Sequence, residues 1–278
     1  MAAQPLVRRS YEEPLETYAT NVMGTAHVLE ACRDKPDLKA VVIVTTDKVY
    51  ENREWVWGYR ENEALGGYDP YSSSKAASEI VTSAYRNSFF NGNGPRIATA
   101  RAGNVIGGGD WADDRLIPDA VRAFSKDEPI RIRYPEAVRP WQHVLEPLSG
   151  YLLLAEKLAG ADSDAFADAW NFGPPETDAR PVREILDIFT RHWPGAPGWE
   201  MDGNNIHPHE AGLLKLDCAK AASRLKWRPR LNLDAALELT AQWYLANADA
   251  ADMTALTRTQ IDHFMKTTEP AQAGTTKD

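Results

Sequence analysis

Residues 40–45 read Ala-Val-Val-Ile-Val-Thr, a short continuous run of apolar, mostly β-branched side chains. A run without polar alternation is the pattern of a strand buried on both faces, as in a parallel sheet. Upstream, Leu15, Tyr18, Val22, Ala26 and Leu29 recur at helical spacing. They predict an amphipathic helix over roughly Pro14 to Cys32, with Pro14 in its first turn. Downstream, a loop rich in aromatics and glycine (Tyr50 to Pro70) leads into a second helix, Tyr71 to Phe89, with Ala76, Ile80, Ala84 and Phe89 along one side. Asn91-Gly-Asn-Gly-Pro95 is turn punctuation, and Arg96 to Ala102 reads as another interior strand. This α-β-α-β order implies right-handed crossovers and an α/β, doubly wound parallel sheet.

Beyond Asn104 the pattern changes. Helices are expected at Pro118–Ser125, Leu145–Leu158, Pro181–His192, Cys218–Leu225 and Leu233–Asn247, with short strands at Ile130–Arg133 and Ala169–Phe172. Pro-rich stretches such as Trp193 to Gly198 separate them. The pattern divides the chain into 1–117, the sheet-bearing part, and 118–266, a smaller and mostly helical part with segments returning to the sheet. Residues 267–278 form a small polar tail expected to be disordered.

Hydrophobic residues make up 43% and charged residues 26% of the 278, as in ordinary water-soluble domains. A net charge of −9 argues against nucleic-acid or anionic-membrane surfaces, which need a basic patch. No apolar run approaches a membrane span, and no signal peptide is evident. Cys32 and Cys218 match no metal-ligand spacing and are expected to be reduced thiols in a cytoplasmic protein.

The chemistry-bearing segment is Tyr71-Ser-Ser-Ser-Lys75. A spacing of four on a helix puts both side chains on one face, where an ammonium favours phenolate and makes the tyrosine a general base for a hydroxyl. By itself this spacing is common on exposed helices. The buried strand, however, ends at Thr45-Thr46-Asp47-Lys48, and ligands bind at the carboxyl ends of parallel strands in open α/β sheets.

Together, Thr46-Asp47-Lys48 and Tyr71-x-x-x-Lys75 resemble the extended short-chain dehydrogenase/reductase family, and within it the nucleotide-sugar 4,6-dehydratases. Most of those place Glu third in the triplet; the CDP-glucose 4,6-dehydratases place Lys, as here. Residues 50–63 and 66–71 look like the same subfamily, and the resemblance runs from residue 2 to about Asn247. It implies a Rossmann-type domain with a substrate-binding domain, NAD as cofactor, CDP-glucose as the favoured nucleotide-sugar substrate, and a homodimer formed through helices 14–32 and 71–89. It further implies an internal redox cycle in which Tyr71 takes the 4-hydroxyl proton and Thr46 holds the same oxygen. Lys48 would then remove the C5 proton, Asp47 protonate the departing 6-hydroxyl, and Lys75 keep Lys48 uncharged. Asn104, Arg115 and Arg139 would hold the sugar nucleotide, the arginine fork suiting a diphosphate. Ala2, Ala3 and Gln4 would close over the dinucleotide, beside Thr46, Tyr71 and Lys75. Another nucleotide-sugar dehydratase or epimerase, or an inactive form that only binds sugar nucleotide, is the alternative.

Gly107-Gly-Gly-Asp-Trp-Ala112 satisfies G-x-G-x-x-A, but no βαβ unit surrounds it and Pro118 interrupts the segment after it. It is expected to be a flexible loop lining the pocket. His207-Pro-His209-Glu210 has no third ligand nearby, so no metal is expected. Trp55, Trp57, Trp141 and Trp227 are expected to pack rather than to touch cofactor, although Trp57 falls in the loop before the catalytic helix. The family's Gly-rich first turn, on the order of 70 residues with its flanking βαβ units, has no counterpart here. Truncation or a genuine short form accounts for that, and weak NAD binding with retained CDP affinity is the expectation.

Overall fold

The computed structural model describes residues 2–92, 94–203 and 211–267. In chain order its first elements are α1 (Val7–Glu12), α2 (Pro14–Tyr18), α3 (Gly24–Cys32), β1 (Ala40–Val44), α4 (Pro70–Phe89), β2 (Arg96–Ala102), β3 (Asn104–Ile106) and α5 (Leu116–Phe124). After these come β4 (Ile130–Ile132), β5 (Val138–His143), α6 (Leu145–Leu158), β6 (Ala169–Phe172), β7 (Ala179–Pro181), α7 (Val182–Arg191), β8 (Trp199–Met201), α8 (Leu233–Ala248) and α9 (Met253–Lys266).

β1, β2 and β6 form a parallel sheet in that spatial order, with Val44 opposite Ala100 and Ala102 opposite Phe172. Alternate residues serve opposite faces. Val41, Ile43 and Ile97 meet Leu29, Cys32 and Phe90 beneath α3 and α4, whereas Ala40, Val42, Ala98 and Ala100 meet Leu154, Leu158 and Trp170 beneath α6. That two-sided demand is why β1 carries no polar residue. The expected burial of β1 is only partial: its residues are half-buried, because no strand among the described residues pairs with its outer edge. α6 lies close on the sheet at Gly150, where an added Cβ would meet the Phe172 ring at 2.4 Å. The fold is α/β and Rossmann-type.

The second core gathers Ile117, Val121, Phe124, Ile185, Phe189, Leu237 and Tyr244 around two small sheets, β3-β5-β7 and β4-β8. β5 runs parallel to β3 and antiparallel to β7.

Several elements differ from the sequence reading. The helix over Pro14–Cys32 contains a π turn at Ala19–Met23, and the one expected from Cys218 closes as a π turn at Ala221–Leu225. β3, β5, β7, β8 and α9 were not anticipated. These strands are three to six residues long and several carry polar residues, too short for either periodicity to emerge. Asn93, the His207–Glu210 segment and the tail from residue 268 lie outside the described residues.

Candidate active site

At the end of β1, Thr46 caps a single 3-10 turn, Asp47–Val49. Its hydroxyl accepts from Lys48 N at 3.4 Å and donates to Asp47 Oδ1 at 2.9 Å. Facing it is the start of α4, capped by Asp69, which accepts from Ser72 N at 2.9 Å and from Ser72 Oγ at 2.7 Å, with Pro70 in the first turn. Gly67, at φ +144°, brings the preceding loop so near that a Cβ there would lie 2.3 Å from Ser73 N. These two termini bring the Tyr71 phenol beside the Thr46 hydroxyl, both in one cavity lining. Thr46, Asp47, Lys48, Tyr71, Asn104, Arg115 and Arg139 all line one cavity of about 1100 Å³. Gly103 permits the convergence: a Cβ there would be 2.6 Å from Pro140 and 3.1 Å from Asp47 Oδ2.

The electrostatics arise from burial. Asp47 is 2% exposed, and desolvation pushes its carboxyl up against the opposing pull of Lys48, Thr46 and Arg139. Its Oδ2 has no hydrogen-bond partner among the described residues. Burial also pushes the Tyr71 phenol up to about 12, with Thr46 and Arg115 opposing and Asp47 and Asp69 adding to the rise. The lowered phenol expected from Lys75 is therefore not what this structure holds. Lys75 Nζ donates instead to Val44 O at 3.2 Å, and desolvation lowers the ammonium itself, opposed by Glu79.

Three other residues sit differently from their anticipated roles. Gln4 is buried with its amide turned inward: Nε2 donates to Thr17 Oγ1 at 2.8 Å, and Oε1 accepts from Leu6 N at 2.6 Å. Ala2 and Ala3, like Gln4, are outside the cavity lining, which begins at Pro5. Arg139 lies on β5 and donates to the carbonyls of Val138 (3.0 Å), Gly212 (3.4 Å) and Ala211. Its fork is held by loop backbone here. Arg115 pairs with Asp110 Oδ2 at 2.9 Å, while Asn104 is half-buried on β3.

The Gly107–Ala112 loop is packed rather than flexible. Gly108 lies so close to α8 that a Cβ would fall 2.0 Å from Trp243, and Tyr244 Oη donates to Asp110 O at 2.5 Å. Trp227 packs edge-on against Phe172, Trp57 is 69% exposed and edge-on to Trp55, and Trp141 lines the cavity. No metal-ligand cluster occurs among the described residues.

The sequence reading missed Tyr151 and Arg8, both in the cavity lining. The Tyr151 phenol is raised by burial and feels the charges of Tyr71 and Asp47. Arg8 bonds Asp114 at 3.0 Å, a carboxylate that Arg133 also reaches at 3.5 Å. Nothing local distinguishes these residues from an aromatic or a cation on any amphipathic helix.

Comparison with known proteins agrees with the geometry. The profile of the NAD dependent epimerase/dehydratase family matches residues 1–171. The chain is 53% identical to a CDP-glucose 4,6-dehydratase of Salmonella typhimurium, over 96% of this chain and 76% of that protein. It is 26% identical to a dTDP-glucose 4,6-dehydratase of Xanthomonas campestris, over 88% and 71%. Among solved structures, a UDP-glucuronic acid 4-epimerase of Bacillus cereus, in complex with UDP-glucuronic acid and NAD, shares the fold at TM-score 0.77. It is 20% identical, covering 89% of this chain and 74% of its own. A dTDP-glucose 4,6-dehydratase of Streptomyces venezuelae with NAD bound matches at TM-score 0.72 and 25% identity, over 91% and 74%. With its sheet, its strand-end triplet and its tyrosine helix in these positions, the chain belongs to the NAD dependent epimerase/dehydratase family.

Proposed function

We propose that the chain is a CDP-glucose 4,6-dehydratase, converting CDP-glucose to CDP-4-keto-6-deoxyglucose and water. The observation that carries the reading is the meeting of Thr46, Asp47 and Lys48 from the end of β1 with Tyr71 from α4 in one cavity. The Salmonella typhimurium relative supports the choice of nucleotide.

The family's cofactor is NAD, and the donors present suit its ribose–nicotinamide end. Lys75 is buried at the strand end, outside the cavity lining, with its ammonium on Val44 O; its remaining N–H groups would serve the ribose diol if the side chain turns toward the cavity. Tyr71 and Thr46 complete that edge. Bound NAD would supply a two-electron acceptor and donor.

Tyr71 takes the proton of the sugar 4-hydroxyl as C4 becomes a ketone, with Thr46 hydrogen-bonded at the same oxygen. The ketone acidifies C5–H. Lys48 removes that proton, while Asp47, whose burial favours the protonated acid, donates to the departing 6-hydroxyl. Water leaves, C6 is reduced, C5 regains a proton, and the cofactor ends as it began. Asn104 and Arg115 hold the sugar nucleotide, and Arg139 grips its diphosphate after exchanging loop carbonyls for phosphate.

The test is turnover of CDP-, dTDP-, UDP- and GDP-glucose with NAD added. The 4-keto-6-deoxy product is expected from CDP-glucose at a rate at least tenfold above the others. Preference for another nucleotide, or a C4 epimer as product, would overturn the reading.

The assembly is a homodimer through helices 14–32 and 71–89. Leu15 (83%), Val28 (53%), Met23 (50%) and Ile80 (58%) are exposed there, apolar surface that a four-helix contact between copies would cover. Light scattering at micromolar concentration is expected to give twice the chain mass; a monomer would count against it. No helix among the described residues is long and apolar enough to cross a membrane. Cys32 and Cys218 are free thiols, the state a reducing cytoplasm maintains, which supports a cytoplasmic location.

A further inference from the structure

Tyr71, Lys75 and Glu79 stand four apart along one face of α4. Each holds a different one of three consecutive residues at the end of β1. Tyr71 meets the Thr46 hydroxyl, Lys75 Nζ donates to Val44 O, and Glu79 Oε1 accepts from Thr45 Oγ1 at 2.5 Å. Glu79 lies outside the cavity lining and is the most heavily bonded of the three. It also accepts from Thr99 Oγ1 at 2.7 Å and from Arg101 Nε and Nη2, both at 2.9 Å, so that a two-pronged guanidinium closes the carboxylate. Both side chains are 3% exposed. Arg101 Nη1 reaches on to Tyr50 Oη at 2.8 Å and Glu61 O at 3.1 Å, and Tyr50 Oη donates to Asn171 Oδ1 at 2.7 Å. The loop after the triplet and strand β6 are thus tied to the same pair.

A buried ion pair is a poor source of net stability, since desolvation offsets most of the attraction. What it does supply is geometry. Four donors converge on one carboxylate and leave α4 a single rotation and a single height against β1 and β2. The arm it fixes ends one residue before Thr46.

We propose that Glu79, held by Arg101, is a positioning residue for the reaction: through Thr45 it sets the approach of Thr46 to the Tyr71 hydroxyl. This rests on the dehydratase reading given above. It assigns the two threonine partners of Glu79 unequal roles, although each contributes one hydroxyl hydrogen bond. Thr45 transmits position to the site, whereas Thr99, on β2, anchors the carboxylate from behind.

The experiment compares Thr45→Val with Thr99→Val, near-isosteric changes that each remove one donor to Glu79. Thr45→Val is expected to lower kcat for CDP-glucose tenfold or more with KM within twofold, and Thr45→Ser to recover most of the loss. Thr99→Val is expected to keep kcat within threefold at a similar melting temperature. Equal kcat losses in the two valine variants, no loss in either, or no rescue by serine would overturn the inference. Arg101→Lys, which keeps the charge but not the two-pronged grip, serves if Thr45→Val does not fold; a kcat loss without a KM change is again expected, and an unchanged kcat would overturn it. A wild-type chain inactive on all four nucleotides would sink the dehydratase reading alone. Crystal structures of wild type and Thr45→Val then decide the positioning role. A Thr46–Tyr71 hydroxyl separation wider in the variant than in wild type supports it, and an unchanged separation refutes it.

Discussion

Tyr71→Phe lowers turnover of CDP-glucose by a factor on the order of 10² or more, with KM and melting temperature close to wild type. The substitution removes one oxygen from a ring that is 8% exposed and otherwise retains its packing. What is lost is the acceptor for the 4-hydroxyl proton and the polar contact with Thr46. Because burial raises this phenol to about 12, its ionised form is scarce at neutral pH in the ligand-free protein, and it becomes more available as pH rises. Wild-type turnover is therefore expected to climb with pH along an acid limb that Tyr71→Phe lacks. Steady-state kinetics across about pH 6 to pH 9 provide the measurement. A variant within fivefold of wild type, or one that keeps the same limb, removes Tyr71 from the chemistry.

Glu146→Gln stabilises the protein at about pH 8 and leaves it little changed at about pH 4. Glu146 opens α6 and is 1% exposed. Its Oε1 accepts from Arg230 N at 2.8 Å and Leu231 N at 2.7 Å, while Oε2 is buried with no partner among the described residues. Desolvation outweighs those two bonds and raises the carboxyl to about 7. Below the ordinary carboxylate range both folded and unfolded chains hold the proton, and the group makes no difference. As pH rises toward 7 the unfolded chain releases its proton while the folded chain retains it, so stability falls; above 7 the loss levels off at about 3 kcal/mol. Glutamine offers the same oxygen to both backbone N–H groups and has no proton to release. Melting curves at the two pH values test this. A gain of equal size at both, or a loss at pH 8, would show that the charge at this position is compensated in the fold.

Much of the site was legible because its parts are announced by local pattern. The apolar run Ala40–Val44 has one physical use, a strand covered on both faces, and residues just after such a strand stand at its carboxyl edge. The Tyr71–Lys75 spacing likewise fixes two side chains on one helix face whatever the tertiary fold. Where the reading departed from the structure, the deciding partner was remote in sequence. Lys75 was expected to act on the phenol, but Val44 O, 31 residues away, accepts its hydrogen bond. Arg139 was expected to present an open fork, and Ala211 and Gly212 close it from more than 70 residues downstream. The polar strands β3 and β5 exist because each completes the other's ladder, which neither sequence declares.

The sequence by itself therefore determined the α/β class, the strand that carries Thr46-Asp47-Lys48 and the helix that carries Tyr71, since period and composition act over a few residues. Tertiary structure alone decided the proton states and the alignment. Asp47 and Tyr71 are shifted upward because other segments exclude water from them. Glu79, whose sequence context resembles that of any exposed helical glutamate, becomes a buried anchor only because Thr45, Thr99 and Arg101 arrive from two adjacent strands. Desolvation and long-range hydrogen bonding depend on what surrounds a residue in space, and no local pattern encodes that.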